Sequence, residues 1–350
     1  MNILITGIHG FIGSNLVAAL KAQHIIYGLD IVSPEKDGVV KTYGWNELKD
    51  IPPIDCIIHL AGKAHDTKNQ TDARVYFDIN TGLTQQIFDW FLTSTASTFI
   101  FFSSVKAAAD QVEGDILTED VVPAPNGPYG ESKLAAENYI TARIHEGTRT
   151  RELEGTRTQQ HDNVPQTRHC EDDEGGQSNL FIKPRTQGDQ KVYILRPCMI
   201  HGPGNKGNLN LLYKLVQKGL PWPLGSFENK RSFTSIENLT YIINQLIVKD
   251  IEPGIYQVAD DEAISTNEII RLIAASQNKK SRIWNISKKL ILLSARIGDT
   301  LHLPLNSERL KKLTESYVVS NQKLKSALGI ERMPVSAEDG MKKTLESFEE

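Results

Sequence analysis

Short apolar segments alternate with longer segments of helical periodicity along the first part of the chain. The apolar runs are NILITG (2–7), IIYGLDI (25–31), IDCIIHLAG (54–62), TFIFFSS (98–104) and KVYILRP (191–197). SNLVAALKAQ and residues 73–94 repeat apolar positions at the spacing of one helix face. Buried strands that alternate with helices predict an α/β fold, a doubly wound parallel sheet with helices on both faces. Ligands of such sheets bind beyond the carboxyl ends of the strands.

The turn after the first strand is rich in glycine, and the second strand ends at Asp30. Gly7 permits a tight turn, Gly10 lets the backbone approach a pyrophosphate, and Gly13 allows close packing of helix on strand. Asp30 is placed to accept hydrogen bonds from an adenosine ribose and would repel a 2′-phosphate. This pattern predicts a Rossmann-like domain that binds NAD rather than NADP. The alternative is a glycine-rich turn in another α/β protein. The cofactor-binding residues predicted here are Gly7, Gly10, Phe11, Ile12, Gly13 and Asp30.

A second segment, PYGESKLAAE (128–137), places a tyrosine four residues before a lysine. Pro128 and Gly130 indicate a turn, and the residues that follow favour a helix. Tyr129 and Lys133 then share one helix face. An ammonium beside a phenol lowers the pKa of the phenol, which would make Tyr129 a general base near neutral pH. The alternative is a surface tyrosine with a solvated lysine.

Composition narrows the class of protein. A chain of 350 residues is long enough for one large or two modest domains, and its net charge of −4 gives no support for nucleic-acid binding. Three scattered cysteines do not form a disulfide framework, and no signal peptide is seen, so a cytoplasmic location is predicted. No stretch is apolar enough to insert across a membrane. LILLSARIGDTLHL (290–303) is expected to be a helix packed on the body, with a membrane-surface helix as the alternative.

An ordered series of motifs then indicates a family. It consists of TGIHGFIG, HLAG, DIN, FFSS, YGESK, LRPCMIHGPG and RSFTSIENL. The chain resembles the extended short-chain dehydrogenase/reductases of the NAD-dependent epimerase/dehydratase family, which act on nucleotide sugars. The resemblance runs from Met1 to about Arg143 and resumes near Lys191.

The resemblance implies a catalytic set of Ser104, Tyr129 and Lys133. Tyr129 would exchange a proton with a sugar hydroxyl, while the nicotinamide exchanges a hydride with the same carbon. Lys133 would bind the nicotinamide ribose, and the Ser104 hydroxyl would donate to the developing alkoxide or ketone. The alternative role of Ser104 is to satisfy a backbone group at a strand end. The resemblance adds Leu60, Ala61, Gly62, Asn80, Tyr129 and Lys133 to the cofactor-binding residues.

The residues after Ser104 bear on the reaction. Sugar 4,6-dehydratases of this family carry an Asp-Glu pair there, whereas this chain has Val105 and Lys106. Dehydration is therefore disfavoured, and redox chemistry at one carbon remains. The leading hypothesis is a UDP-glucose or UDP-N-acetylglucosamine 4-epimerase for surface polysaccharide. The alternatives are an NAD(P)H-dependent 4-ketoreductase of a UDP-4-keto-6-deoxy-hexosamine and, in another class, a non-catalytic NAD sensor or scaffold.

The second half of the chain resembles the substrate side of enzymes that make UDP-sugars. By that resemblance Asn208 contacts the nucleotide, Arg231 binds the diphosphate, and residues 219–225 lie against the uracil. Lys63 is a further candidate for substrate contact. The alternatives are a surface salt bridge for Arg231 and core packing for Trp222. No metal site is predicted.

Residues 145–190 depart from the family pattern. EGTRT occurs twice, at 146 and 154, and apolar residues are rare. Such a segment cannot bury enough surface to offset its ordering entropy, so a disordered insert is predicted. The predicted domains are a Rossmann domain, 1–196, and a mainly substrate-binding domain, 197–350, with 228–249 returning to the Rossmann body. A homodimer is expected by analogy with the family.

Overall fold

A computed structural model describes residues 1–63, 72–159, 190–205, 207–301 and 306–348. The strands are β1 (Asn2–Thr6), β2 (Ile25–Leu29), β3 (Thr42–Tyr43), β4 (Cys56–His59), β5 (Thr98–Phe102), β6 (Lys191–Pro197), β7 (Met199–His201), β8 (Phe233–Ser235) and β9 (Gly254–Val258). The α-helices are α1 (Phe11–Leu20), α2 (Ala73–Tyr76), α3 (Leu83–Thr93), α4 (Val105–Ala108), α5 (Pro128–Gln159), α6 (Asn208–Gln217), α7 (Ile236–Val248), α8 (Thr266–Ser276), α9 (Lys288–Leu301), α10 (Ser307–Thr314), α11 (Gln322–Leu328) and α12 (Ala337–Glu346). A π-helical turn, Phe77–Gly82, joins α2 to α3, and Leu48–Asp50 forms a 3₁₀ turn.

The main sheet has seven parallel strands in the order β3-β2-β1-β4-β5-β6-β9. The chain passes from β1 to β2 on one side and later places β4 on the other side of β1. The strand order therefore reverses at β1, and this switch point opens a crevice at the carboxyl edge of the sheet. The predicted α/β, Rossmann-like fold is confirmed.

Both faces of the sheet are covered by helices. On one face α1, α7 and α11 pack through Leu16, Leu239 and Leu324, which are fully buried. On the other face α3 and α5 pack through Phe88 and Ile140. Because both faces are covered, the strands can be apolar along their whole length, as their sequences are.

The boundary between the two units differs from the predicted one. Strand β9 and helix α11, both expected in the second domain, belong to the main sheet and its covering layer. The segment GIYQV of β9 is short and includes Gln257, so its pattern alone does not mark a buried strand. It is buried because it pairs with β6, for example Tyr256 with Leu195. Helices α6, α8, α9, α10 and α12 build the separate core of the second unit.

Helix α5 is longer than predicted. It begins at Pro128 and continues to Gln159, so the expected disorder from residue 145 is wrong as far as Gln159. The rest of the predicted insert, 160–189, lies outside the described residues. In the sequence, Glu and Arg recur three residues apart at 146/149 and 154/157. Pairs of opposite charge at this spacing favour a helix in the sequence.

Candidate active site

The glycine turn after β1 lies at the switch point of the sheet. Gly7 adopts φ +67°, and its N–H donates to the carbonyl of Leu29 at 2.8 Å. A Cβ on Gly7 would lie 3.0 Å from the backbone of Ala61, so the turn after β1 touches the turn after β4. Helix α1 follows at once, with Gly10 as its N-cap and no acidic residue in its first turn. Its exposed N–H groups and positive dipole end suit the diphosphate of a dinucleotide.

Asp30 is fixed beside this turn. Its carboxylate accepts hydrogen bonds from the backbone N–H of His9 at 3.1 Å and from that of Ile31 at 2.7 Å. The acid at the end of β2 is thereby tied to the glycine turn. This position is the one from which an adenosine ribose would be read.

Gly13 tests the packing of this turn. A Cβ there would lie 2.7 Å from the carbonyl oxygens of Gly7 and Ile8, which are backbone atoms and cannot move aside cheaply. Gly13→Ala is expected to lower the free energy of unfolding by about 1–3 kcal/mol through overpacking and to weaken NAD binding. Gly82→Ala is the matched control, because its nearest atom would be the Phe77 carbonyl at 3.9 Å. Denaturant unfolding and NAD titration of both variants test this, and equal stabilities would contradict it.

Asn80 joins the turn after β4 to helix α5. It lies buried in the π-helical turn, where its Oδ1 accepts from the N–H of Lys63 at 2.7 Å and its Nδ2 donates to Ser132 Oγ at 2.9 Å. A Cβ on Gly62 would lie 2.8 Å from Asn80 Oδ1 and 3.2 Å from Lys133 Nζ. Gly62 therefore leaves the space in which the amide and the ammonium meet this turn.

His59 organises the same turn and was missed by the sequence analysis. Thr84 Oγ1 donates to the Asn80 carbonyl, so it accepts from His59 Nε2 at 2.9 Å. The ring then accepts at Nδ1 from Thr6 Oγ1, at 2.7 Å, and Thr6 Oγ1 in turn accepts from the N–H groups of Leu60 and Ala61. Burial lowers the His59 pKa to about 3, which keeps the ring in this neutral form. The signal was available in HLAG, as a histidine inside a buried strand.

Ser104, Tyr129 and Lys133 converge at the carboxyl edge of the sheet, beyond β5. Ser104 caps α4, with its Oγ accepting from the N–H of Lys106 at 3.2 Å, and it is hydrogen-bonded to the Tyr129 side chain. Tyr129 lies in the first turn of α5, which Pro128 begins, so the expected turn at Pro128 and Gly130 is already helix. Lys133 is buried one turn further along, and its Nζ donates to the Phe102 carbonyl at 2.8 Å.

The electrostatics of this set correct one expectation. Burial raises the pKa of Tyr129, and the hydrogen bond from Ser104 offsets this only in part, so the predicted lowering by Lys133 is wrong for the chain alone. Burial lowers the pKa of Lys133 itself to about 8. The Lys133 ammonium donates to the Phe102 carbonyl, and burial is the largest influence on the pKa of Tyr129.

Tyr76 is a further residue that the sequence analysis missed. It is buried at the end of α2, and its ring meets that of Tyr129 edge to face, with centroids 6.2 Å apart. It therefore fixes the orientation of the Tyr129 ring. No local sequence signal marks it, because α2 and α5 meet only in the folded chain.

A buried ion pair lies directly behind Lys133. Glu137, one helical turn along α5, accepts from Arg196 Nε at 3.0 Å and from Arg196 Nη2 at 2.6 Å, and both side chains are 2% exposed. Ser103 Oγ donates to the same carboxylate. This bidentate pair links α5 to the ends of β5 and β6 and so fixes the register of the helix that carries Tyr129 and Lys133.

The positions after Ser104 offer no acid for elimination. Val105 is buried, and Lys106 pairs with Asp110 at 2.8 Å and lies over the Tyr317 ring at 4.7 Å. Cys198, after β6, is buried with a raised pKa, so nothing activates its thiol as a nucleophile.

The residues predicted to bind the substrate do not form one cluster of contacts among the described residues. The Arg231 guanidinium donates to the carbonyls of Lys312 and Glu315 at the carboxyl end of α10. Trp222 is part of the core of the second unit, in agreement with the alternative prediction that it packs in a core. Asn208 is the first residue of α6, with its side chain outside the described part. Lys63 is held to Asn80 through its backbone.

The fold and this site together define a Rossmann-like protein with Ser104, Tyr129 and Lys133 at the carboxyl edge of its sheet. Comparison with known proteins narrows the class. Residues 3–163 match the model of the NAD dependent epimerase/dehydratase family. The chain is 28% identical to a UDP-glucose 4-epimerase of Vibrio cholerae, over 99% of this chain and 95% of that protein. The family match thus covers the first part of the chain, and the similarity to the Vibrio cholerae protein covers nearly all of it.

Two further similarities extend over the full length. An N-acetyl-alpha-D-glucosaminyl-diphospho-ditrans,octacis-undecaprenol 4-epimerase of Escherichia coli O157:H7 is 22% identical over 99% of this chain and 94% of that protein. The solved structure of MoeE5 in complex with UDP-glucose and NAD superimposes with a TM-score of 0.69 at 19% identity, over 100% of this chain and 99% of that one.

In the described part of the chain, no group of His, Cys, Asp or Glu side chains could hold a metal ion. Likewise, none of the described helices is both long enough and apolar enough to cross a membrane.

Proposed function

We propose that this protein is an NAD-dependent 4-epimerase of a UDP-linked hexose. The observation that carries the proposal is that Ser104, Tyr129 and Lys133 lie together at one edge of the sheet, where Lys133 adjoins Gly62 in the turn that the glycine turn touches. The names of the Vibrio cholerae relative and of the MoeE5 complex support a UDP-sugar and NAD.

The residues present fit a dinucleotide. The first turn of α1 and Gly10 would hold the diphosphate, Asp30 the adenosine ribose, and Gly62 with Lys133 the nicotinamide end. A Cβ at Gly62 would close the space before Lys133, which is the fit expected of a cofactor cradle. When bound, NAD supplies the acceptor and donor of a hydride.

The side chains of the site supply the proton chemistry. Tyr129 would take the proton from the C4 hydroxyl of the sugar and return it to the same oxygen after inversion, a task worth about 10²- to 10⁴-fold in rate. Ser104 would donate a hydrogen bond to that oxygen. The Lys133 ammonium would favour the phenolate of Tyr129 once both face a ligand. Dehydration lacks an acid, since Lys106 occupies the position and already pairs with Asp110.

The test is C4 inversion by purified protein without added cofactor, followed by NMR. UDP-glucose, UDP-galactose and their N-acetyl forms are supplied, together with undecaprenyl-diphospho-N-acetylglucosamine because of the Escherichia coli relative. Inversion with no external NAD is the expected result and identifies the sugar. Absence of inversion, with NADH or NADPH consumed by a UDP-4-keto-6-deoxy sugar, would instead establish the 4-ketoreductase.

A further inference from the structure

An exposed apolar face on α9 is not explained by the proposed function. Helix α9 packs on the second unit through Ile291, Ala295 and Gly298, which are buried. On another side of the helix, Leu290 is 59% exposed and Leu293 is 55% exposed. The sequence analysis expected a helix packed on the body, and the packing accounts for one face only.

Three exposed apolar residues of α9 form one stripe, and a fourth, Leu292, which is 50% exposed, lies on a different side of the helix. Leu290, Leu293 and Ile297 follow the i, i+3, i+7 spacing of a helix face, and Ile297 is 48% exposed. Trp284, 55% exposed, precedes the stripe by six residues and so lies within about 20 Å of Leu290. A contiguous apolar face of this kind indicates an interaction surface.

The segment that carries this stripe has charges of a single sign. Residues 279–298 contain no Asp or Glu, although the whole chain carries a net charge of −4. The cations of this segment are Lys279, Lys280, Arg282, Lys288, Lys289 and Arg296. The next acid, Asp299, accepts hydrogen bonds from the N–H and the hydroxyl of Ser307.

Several of these cations also converge in space. Lys279, Lys280 and Arg282 line one cleft of about 400 Å³, together with Lys218 from the end of α6. Lys279 and Arg282 are held there by the carbonyls of Gln217 and Gly219, at 2.8 and 3.1 Å. The basic character is therefore built into the fold of this edge.

We propose that residues 279–298 dock this protein on the surface of an anionic phospholipid bilayer. An amphipathic helix with an apolar stripe, a tryptophan and flanking cations lies in the membrane–water interface. Its apolar face is buried at the boundary between the headgroups and the acyl chains. The cations meet the lipid phosphates, each worth about fivefold in affinity. A protein partner would call for acidic groups on that partner, and a second copy would bring the same cations together, so a lipid surface fits the charge best.

The experiment is co-sedimentation of the full chain with vesicles. Vesicles of phosphatidylglycerol and phosphatidylcholine are compared with phosphatidylcholine alone, at low and high salt. Binding is expected to the anionic vesicles only and to weaken with salt. Lys280→Glu/Lys289→Glu is expected to weaken it by at least about 25-fold. Leu290→Ser/Leu293→Ser/Ile297→Ser is expected to weaken it about tenfold or more.

Matched controls lie elsewhere on the surface. Lys49→Glu and Val122→Ser change an exposed cation and an exposed apolar residue outside this segment and are expected to leave binding unchanged. Quenching of the Trp284 fluorescence by brominated lipid, read as the difference between wild type and Trp284→Phe, gives a second measurement that does not depend on the glutamate and serine variants. Absence of binding, or loss in the controls equal to that in the patch variants, would overturn the proposal. A triple serine variant that changes the oligomeric state, without vesicle binding by the wild type, would assign the face to a second copy.

Discussion

Tyr129→Phe is expected to lower turnover by about 10²- to 10⁴-fold, the usual contribution of a general acid–base group. The substitution removes only the hydroxyl that is hydrogen-bonded to Ser104, and the ring keeps its edge-to-face contact with Tyr76. NAD retention and thermal stability should therefore stay near those of the wild type. Turnover with the sugar identified by the inversion assay is the measurement.

Tyr139→Phe is the control for that prediction. Tyr139 lies on the same helix, and its hydroxyl donates to Asp89 at 2.7 Å on the surface, away from the Ser104 side. It is expected to leave turnover unchanged. If Tyr129→Phe kept full activity while binding NAD, the enzyme assignment of this hydroxyl would be wrong. If Tyr129→Phe lost turnover but kept another function that depends on NAD, the non-catalytic sensor would be the better hypothesis.

Glu137→Gln is expected to give the largest loss of stability. It leaves the Arg196 guanidinium buried without a carboxylate, and breaking a buried pair from one side costs about 3–5 kcal/mol. Glu338→Gln is the control, since its pairing with Lys342 at 2.7 Å involves side chains that are 62% and 50% exposed. Such surface pairs contribute about 0–1 kcal/mol. The two variants are compared by the midpoints of their denaturant unfolding curves, provided that the dependence of the unfolding free energy on denaturant is unchanged.

A double variant separates the ion pair from simple loss of packing. Glu137→Gln/Arg196→Met removes the stranded charge and is expected to be more stable than Glu137→Gln alone. The pair also supports the helix that carries Tyr129 and Lys133, so the single variant should lose NAD affinity as well. A stability loss equal to that of the Glu338 control would show that Arg196 finds another partner and that the pair does not fix the helix.

Local sequence patterns predicted the strands that are themselves apolar. The segments that form β1, β2, β4, β5 and β6 are rich in β-branched or aromatic residues and are bounded by glycine, proline or polar residues. Their composition therefore predicts strands that are buried on both faces. Strand β9 was not predicted, because its burial comes from pairing with β6 and is not indicated by its own residues. The continuation of helix α5 beyond Arg143 was not predicted because its sequence there lacks apolar periodicity.

The sequence by itself determined the fold class, the glycine turn, Asp30 and the shared helix face of Tyr129 and Lys133 in the proposed catalytic set. Each depends on contacts within one turn or one βαβ unit, where the spacing of residues along the chain fixes their relative positions in the structure. Only the tertiary structure decided that Tyr76 meets Tyr129, that His59 and Asn80 hold the turn after β4, and that Arg196 neutralises Glu137. These contacts join elements far apart in sequence. The same long-range packing desolvates the Tyr129 hydroxyl and raises its pKa, whereas the nearby Lys133 had predicted a lowered pKa.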